Sequence, residues 1–239
     1  MTRDEPALTA QPAWLWLALA GALAAQVSWR ALEPKASLRD ADLPPAPPVS
    51  VLRLAALGEP EVAARLTMLH LQAFDYGATN SAPYRTLDYR RLAQWLHNIL
   101  ELDPRSQYPL FAAARIYAET ADQERCRRML EFIYQEFFAD PDRRWPWLAH
   151  AALLAKHRLK DLPLAERYAA AVERYTRGKD VPLWARQMHI FILEDMNELE
   201  AARIMLGGLL ASGAIRDPAE ARFLAQRLKS LEERLHHGR

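Results

Sequence analysis

The apolar positions of the chain follow three different patterns from the N-terminus to the C-terminus. Residues 6–29 contain no charged side chain, and residues 33–49 contain five prolines. From Ser50 onward, apolar residues recur at intervals of three and four, which is the period of an α-helix. No alternating apolar and polar stretch bounded by hairpin turns occurs, so the pattern predicts an all-α protein.

The uncharged stretch predicts a transmembrane anchor over residues 13–32, preceded by a tail over residues 1–12. A helix needs about 20 apolar residues to cross a bilayer, and tryptophans near both ends of the stretch are typical of interfacial anchors. The alternative is a cleaved signal peptide, because Ala22-Leu23-Ala24 has the small-x-small form of a cleavage site. A signal peptide begins with a positively charged region. The first residues here have little positive charge, because Arg3 is followed by Asp4 and Glu5, and this favours the anchor.

The composition and the flanking charges bear on localisation. The chain has 26 arginines and five lysines and is rich in alanine, a bias typical of GC-rich bacterial genes. We therefore expect a single-pass protein of a bacterial inner membrane. Arg30, Lys35 and Arg39 follow the apolar stretch, and the positive-inside rule then favours a cytoplasmic C-terminal domain. A short tail followed by one apolar segment is also the layout of a signal anchor with an exported domain, so we expect the periplasmic side.

The proline-rich segment over residues 33–49 predicts a linker. Prolines stop helices and favour the extended polyproline II conformation. Such a segment is a semi-rigid spacer of about 3.1 Å per residue, expected to hold the helical domain of residues 50–239 away from the bilayer.

A motif that reads Pro-x-x-Ala recurs along the helical domain. It begins at Pro60, Pro109, Pro146, Pro182 and Pro218, with spacings of 49, 37, 36 and 36 residues. Proline is favoured in a first helical turn, where its missing N–H needs no partner. Each motif therefore predicts the start of a helix, and the spacing predicts a repeat.

A second motif recurs between these prolines. Cys126-Arg127-Arg128-Met129, Ala165-Glu166-Arg167-Tyr168 and Ala201-Ala202-Arg203-Ile204 each have a small residue, an arginine two positions later and an apolar residue three positions later. We expect the small and apolar residues at a seam between helices and the arginine on the solvated side. Cys126 is the single cysteine, so no intramolecular disulfide can form.

Units of about 36 residues with these features resemble tetratricopeptide repeats (TPR). The stretches Leu102-Asp103-Pro104 and Leu199-Glu200-Ala201-Ala202 are most similar to that family, and the likeness covers roughly residues 60–236. The resemblance implies a TPR-like α-solenoid of about four helical hairpins plus a capping helix. It also implies a concave face, lined by the first helix of each hairpin, that binds a protein or peptide.

The resemblance selects candidate binding residues on that face. If each proline starts a first helix, side chains one, four, eight, eleven and twelve residues later face the concave surface. These are Trp147, His150, Leu154, His157 and Arg158 in one repeat, and Leu183, Arg186, Ile190, Leu193 and Glu194 in the next. Apolar residues with a few polar groups between them suit an amphipathic helix or an extended peptide.

Two departures from the repeat are hypotheses of their own. Residues 77–86 form an insertion, which is either a partner-binding loop or a neutral surface loop. Gly207-Gly208 lies inside a predicted helix, where each glycine costs about 1 kcal/mol against alanine. We expect a close backbone approach at this point, with a hinge as the alternative.

Motifs for catalysis or cofactor binding do not occur in the sequence, so we expect no enzyme, no cofactor and no small-molecule substrate. His150 and His157 share a helical face, but two ligands alone predict no metal site. The net charge of +1 gives no reason to expect nucleic acid. The arginines near one hairpin end, Arg105, Arg125, Arg127, Arg128, Arg143 and Arg144, are interleaved with acids and predict a solvated face rather than a lipid-binding patch.

The sequence therefore predicts a membrane-tethered scaffold or assembly factor whose partner is a protein. One alternative is a soluble exported binding protein formed by signal cleavage. The other is an enzyme whose site is assembled from scattered residues.

Overall fold

The computed structural model describes residues 13–32, 43–77, 87–213, 215 and 217–237. These residues form α-helices and one π-helical turn, with no β-strand among them. The chain divides into two compact units, residues 1–41 and residues 42–239. The all-α prediction is confirmed for the described part of the chain.

The described part of the first unit contains one helix, α1 (Ala13–Leu32), with the bounds predicted from the sequence. All side chains from Trp14 to Trp29 are exposed, and none of them is charged. By length and mean hydropathy, neither α1 nor any other helix in the described ranges qualifies as a membrane span.

The second unit contains ten helices in its described residues. They are α2 (Val49–Ala55), α3 (Pro60–Gly77), α4 (Tyr89–Leu102), α5 (Tyr108–Ala112) continued by a π-helical turn (Ala113–Tyr117), α6 (Gln123–Phe137), α7 (Pro141–His157), α8 (Leu162–Tyr175), α9 (Leu183–Asp195), α10 (Leu199–Ala211) and α11 (Pro218–His237). From α3 onward each helix contacts the next along the chain. We call α3, α5, α7 and α9 the A helices, and α4, α6, α8 and α10 the B helices.

Contacts also join helices of the same kind. Among the A helices, α5 contacts α7 and α7 contacts α9; among the B helices, α4 contacts α6. Helices that touch only their near neighbours in the chain produce a stack whose core extends along its length.

Aspartates begin several of these helices. Asp88 accepts hydrogen bonds from the main-chain N–H groups of Arg90 and Arg91, and Asp122 caps α6 in the same way. A carboxylate at this position pairs with N–H groups that have no partner inside the helix.

The repeated prolines agree with the helix starts at four of five positions. Pro60 and Pro218 are first residues, Pro109 lies in the first turn of α5, and Pro182 precedes α9. Pro146 is the exception, because α7 begins at Pro141 and Pro146 lies inside it. The prediction of a helix start at Pro146 is wrong because Asp140-Pro141 already starts the helix one and a half turns earlier.

Residues 43–48 do not act as the predicted spacer. They pack against α4, and Leu43 is completely buried. The rest of the predicted spacer, residues 33–42, lies outside the described residues, as do residues 78–86 of the predicted insertion. Residues 43–48 of the predicted linker therefore belong to the second unit.

The core contains two clusters of buried side chains. The larger follows α3 to α9 and includes Tyr117, Phe137 and Tyr168. The smaller joins α9, α10 and α11 and includes Ile190 and Leu224. Buried alanines along α7 and α8 let neighbouring helices approach closely.

The motif of the B helices is confirmed in α6 and α8 but is one residue out of phase in α10. Cys126 and Ala165 are fully buried, and burial raises the pKa of the Cys126 thiol. In α10, Ala202 rather than Ala201 is fully buried, and Ile204 is exposed. Because α10 contacts only α9 and α11 extensively, the pattern of α6 and α8 does not transfer to it.

The pair Gly207-Gly208 in α10 is not at a close contact between helices. A Cβ added at either glycine would meet nothing within 4 Å outside the local helix. The prediction of a close backbone approach is therefore wrong, and both positions have room for a side chain.

Candidate functional site

The A helices carry a row of aromatic side chains that we call the aromatic strip, formed by Tyr108, Phe111 and Trp147. The ring centroids of Tyr108 and Phe111 are 5.8 Å apart, and those of Phe111 and Trp147 are also 5.8 Å apart. Tyr108 is 43% exposed and Phe111 is 37% exposed. The strip therefore joins α5 to α7 and leaves aromatic surface open to solvent.

A pocket of about 420 Å³ continues the strip toward α3. Its lining includes Met68, Leu69, Gln72, Ile99, Tyr108 and Pro109. The Nε2 of Gln72 donates a hydrogen bond of 2.5 Å to the hydroxyl of Tyr108. Because Tyr108 belongs to both the pocket and the strip, the two form one surface.

Trp147 is fixed within this surface by its polar end. Its indole Nε1 donates a 2.6 Å hydrogen bond to Oε1 of Gln107, which immediately precedes α5. Trp145 and Trp184 pack edge to face at 5.4 Å across α7 and α9. The tryptophans at these helix starts therefore pack between successive A helices.

His150 lies one turn after Trp147 and is half-buried. Its Nε2 is buried and has no hydrogen-bond partner among the described residues. Burial lowers the pKa of His150, and the positive charge of Arg115 lowers it further. Both effects favour the neutral ring, whose Nε2 offers either a donor or an acceptor, depending on the tautomer.

Arg186 of α9 has a similar feature. Its Nη2 donates a 2.9 Å hydrogen bond to the carbonyl of Gly178, while its Nε is buried and finds no partner within the described ranges. Both His150 and Arg186 are residues selected from the sequence, and both carry an unsatisfied buried nitrogen. Leu183, in the first turn of α9, is half-buried.

Other residues of the predicted site have different roles. Arg158, directly after α7, forms an ion pair with Glu119 and donates a hydrogen bond to the carbonyl of Thr120. These contacts connect the end of α7 to the loop after the π-helical turn. Leu154 packs against the larger core cluster. His157 is exposed, and no group of metal-ligating side chains occurs in the described part of the chain.

The predicted site residues in the second half of α9 belong to the core. Ile190 is 3% exposed and packs with Leu224 and Leu231 of α11. Leu193 and Glu194 are buried as well. Assigning them to a concave surface is wrong because α10 and α11 pack against this part of α9.

Sequence reasoning missed Tyr108, Phe111 and Arg115. The spacing used for the other repeats selects Leu110 after Pro109, and Leu110 is fully buried. The π-helical turn follows these positions, and its hydrogen bond from the N–H of Ala118 to the carbonyl of Ala113 changes the phase of the helix from Ala113 onward. The sequence signal that could have found this surface is the pair of aromatic residues Tyr108 and Phe111, three positions apart at the start of α5.

A second and larger concavity lies on the B helices, with a volume of about 1,220 Å³. Its lining contains Arg90, Arg127, Arg128 and Arg167 together with Glu101, Glu124, Glu131 and Glu136. Several of these charges are already paired: Arg128 pairs with Glu124 at 3.4 Å, Glu136 pairs with Arg144 at 3.2 Å, and Arg167 pairs with Glu131. The positive and negative charges of this surface are therefore largely neutralised by ion pairs within the protein.

Arg144 differs from the other arginines near the hairpin end because it is buried. Its guanidinium donates to the main-chain carbonyls of Glu136 and Pro104 and pairs with the Glu136 carboxylate at 3.2 Å. Arg125 and Arg143 each pair with an aspartate three residues earlier. The cluster therefore contains structural contacts and local ion pairs.

Comparison with known proteins gives no match to a protein family, to a curated protein or to a solved structure. The likeness to TPR repeats therefore rests on the sequence pattern alone.

Proposed function

We propose that this protein is a tethered protein-interaction module whose TPR-like A helices bind a peptide segment of a partner. The surface consists of the aromatic strip, the adjoining pocket, and the polar groups of His150 and Arg186. No chemical step is required of it, and the proposed role is that of a scaffold or assembly factor.

The observation that carries this proposal concerns the three buried side-chain nitrogens that have no hydrogen-bond partner among the described residues. Two of them, His150 Nε2 and Arg186 Nε, belong to residues of the predicted site. The third, Arg144 Nε, belongs to a guanidinium whose other nitrogens already bind carbonyl groups. A buried polar atom without a partner costs about 1–3 kcal/mol, and most such atoms in proteins are hydrogen-bonded. Two of them on the face selected from the sequence support a ligand that supplies the missing partners. Carbonyl or carboxylate oxygens of a bound peptide have the required chemistry.

The aromatic strip and the pocket define the apolar part of the partner. Exposed aromatic side chains contribute large contact areas at interfaces. A pocket of about 420 Å³ accommodates one or two large apolar side chains. Arg115 adds an exposed positive charge beside His150. The best-fitting segment therefore has apolar anchors followed by an acidic or carbonyl-rich stretch.

The tether in this proposal is α1. A helix that is apolar around its whole circumference is stable when it is surrounded by lipid or by other protein. The uniformly exposed side chains from Trp14 to Trp29 support attachment to a membrane, for which the periplasmic side of a bacterial inner membrane remains our proposal.

The binding surface is tested by cross-linking the full-length protein to its partners in cells. We expect His150→Ala combined with Arg186→Ala to reduce partner capture at least fivefold, with a small change in melting temperature, and Phe111→Ala to do the same. Ile204→Ala removes an exposed apolar side chain from the B helix α10 and serves as the control. Wild-type capture by the double variant, or its unfolding, would contradict the assignment and direct attention to residues 77–86.

The tether is tested separately by deleting residues 1–32, which keeps the packed residues 43–48. We expect the full-length protein to sediment with membranes after a carbonate wash and the shortened protein to stay in the supernatant. Sedimentation of both proteins would assign the attachment to the second unit.

A further inference from the structure

The segment Leu43–Pro48 is bound to α4 through its main-chain carbonyls. Arg91 Nη1 donates to the carbonyl of Leu43 at 2.6 Å, and Trp95 Nε1 donates to that of Pro44 at 2.8 Å. Asn98 Nδ2 donates to that of Pro47 at 2.7 Å. A segment distant by about 50 residues in sequence is therefore held by a row of side-chain donors.

The three donors form one face of α4. Positions 91, 95 and 98 are separated by four and three residues, so their side chains project from the same side of the helix. Trp95 is 5% exposed and Asn98 is 4% exposed. Arg91 is also held by Asp88 of the helix cap, at 3.7 Å. Arg91 is therefore positioned by a residue of its own helix cap as well as by the segment.

The sequence of the bound segment favours the polyproline II conformation. Its four prolines restrict φ to about −65°, and each residue before a proline is forced toward extended ψ. Pro48 has φ −54° and ψ 141°. This helix has three residues per turn, which explains why Leu43 and Ala46 face the core while Pro44, Pro45 and Pro48 are exposed.

The chemistry of the site matches that of the segment. Four of its six residues are prolines and have no N–H, so their carbonyls are the polar main-chain groups that remain. Arginine and tryptophan side chains are donors only, and the amide of asparagine offers two donors. Folded domains that recognise proline-rich peptides use the same combination of a preformed polyproline II helix and an aromatic groove.

We propose that the face of α4 formed by Arg91, Trp95 and Asn98 is a binding site for proline-rich segments, occupied in this chain by its own residues 43–48. The bound segment is an exchangeable internal ligand. A proline-rich peptide supplied from outside occupies the same donors when the internal segment is weakened. This site is separate from the surface of the A helices and does not depend on its function.

The experiment uses the full-length chain and a fluorescein-labelled peptide with the sequence Leu-Pro-Pro-Ala-Pro-Pro, with binding followed by fluorescence polarisation. A released variant, Leu43→Ser with Pro44→Gly, removes the buried side chain and one constrained φ from the internal segment. We expect the released variant to bind the peptide at least tenfold more tightly than the wild type. The internal segment competes in the wild type at an effective concentration in the millimolar range.

Further variants locate the binding. In the released background, Trp95→Phe keeps an aromatic ring but removes the Nε1–H donor, and we expect a loss of binding of about fivefold. Gln94→Ala, an exposed neighbour on α4, serves as the matched control and leaves binding unchanged. A peptide in which glycine replaces each proline is expected not to bind, because its free chain does not form polyproline II.

Three results would overturn the proposal. They are equal binding to the wild type and the released variant, no binding to a released variant with the helical content of the wild type, and binding insensitive to Trp95→Phe. If Leu43→Ser with Pro44→Gly prevents folding, Pro44→Gly with Pro47→Gly keeps the buried leucine and answers the same question.

Discussion

The middle of the helical unit and its C-terminal end are built from the same kind of helix but are packed differently. Helices α6, α7 and α8 each bury at least six residues, and among these residues Phe137, Tyr168 and Leu148 are completely buried. In contrast, α10 buries only Ala202 and Leu206, and α11 buries only Leu224 and Leu231 over its 20 residues. A helix in the middle of a stack is covered from two sides, and a helix at the end from one.

Polar contacts supplement the thin core at the C-terminal end. Glu194 of α9 is buried and accepts hydrogen bonds of 3.0 Å from Nε of Arg227 in α11. The amide of Gln187 donates to Glu220 at 2.9 Å. A terminal helix with a polar outer face is what keeps a helical stack soluble. Apolar burial therefore stabilises the middle of the unit, whereas directed polar contacts fix its C-terminal end.

The largest effect is expected from Phe137→Ala in the middle. The side chain is fully buried, so its removal should lower the free energy of unfolding by about 3–5 kcal/mol. Leu231→Ala at the end should cost about 2–3 kcal/mol. Urea denaturation measures both, and Phe223→Ala, which removes a 54% exposed ring from α11, is the control. An equal cost at the two core positions would contradict the difference in packing.

A smaller effect is expected from Arg227→Met. The change leaves the buried carboxylate of Glu194 without its donor, and we expect a cost of about 1–2 kcal/mol because Arg227 itself is partly exposed. Lys229→Met removes a surface ion pair in the same helix and should have little effect. Hydrogen exchange should localise the loss to α10 and α11. A loss spread over the whole unit would show that the two regions unfold together.

His189 lies at the boundary between the two regions. Its Nδ1 is 2.7 Å from Glu173 and its Nε2 is 2.8 Å from Glu166, both on α8. Carboxylates only accept hydrogen bonds, so both ring nitrogens donate when the ring is protonated. Burial of the ring opposes protonation, but the hydrogen bonds to Glu173 and Glu166 and the charges of both outweigh it and raise the pKa of His189 above its ordinary value.

This raised pKa gives stability a pH dependence of defined sign. The contribution is fully present below the ordinary histidine pKa of about 6.5 and is lost as the pH rises through the higher pKa of the folded state. We expect urea denaturation to give a larger difference in stability between pH 6 and pH 8.5 for the wild type than for His189→Gln. A steeper dependence in the variant would contradict the arrangement.

The smallest effect, and one of opposite sign, is expected from Gly208→Ala in α10. The position is exposed and an added Cβ meets nothing within 4 Å, so alanine should stabilise the C-terminal end by about 0.5–1 kcal/mol. Gly178→Ala is the contrasting change in the middle, because its Cβ would lie 3.1 Å from Asp142. Thermal denaturation should therefore show a gain for the first variant and a loss for the second.

The sequence alone determined the local structure of this protein. The bounds of α1, the aspartate caps, and the starts of α3 and α11 agree with signals that act within one or two helical turns. The buried positions Cys126 and Ala165 were also predicted, because the repeat of α6 and α8 places them in equivalent surroundings. The helical phase counted from Pro146 and Pro182 selected Trp147, His150 and Arg186, which are half-buried, and their part in binding stays a prediction.

Only the tertiary structure decided which helical faces are covered, because covering residues come from distant parts of the chain. The segment at Leu43 lies 48 to 51 residues before the α4 side chains that bind its carbonyls, and nothing in its prolines indicates docking rather than a spacer. Ile190 has the correct phase for a binding surface, but it is buried in a cluster with residues of α10 and α11. Helical periodicity fixes the direction of a side chain, whereas its exposure depends on the elements that pack against it.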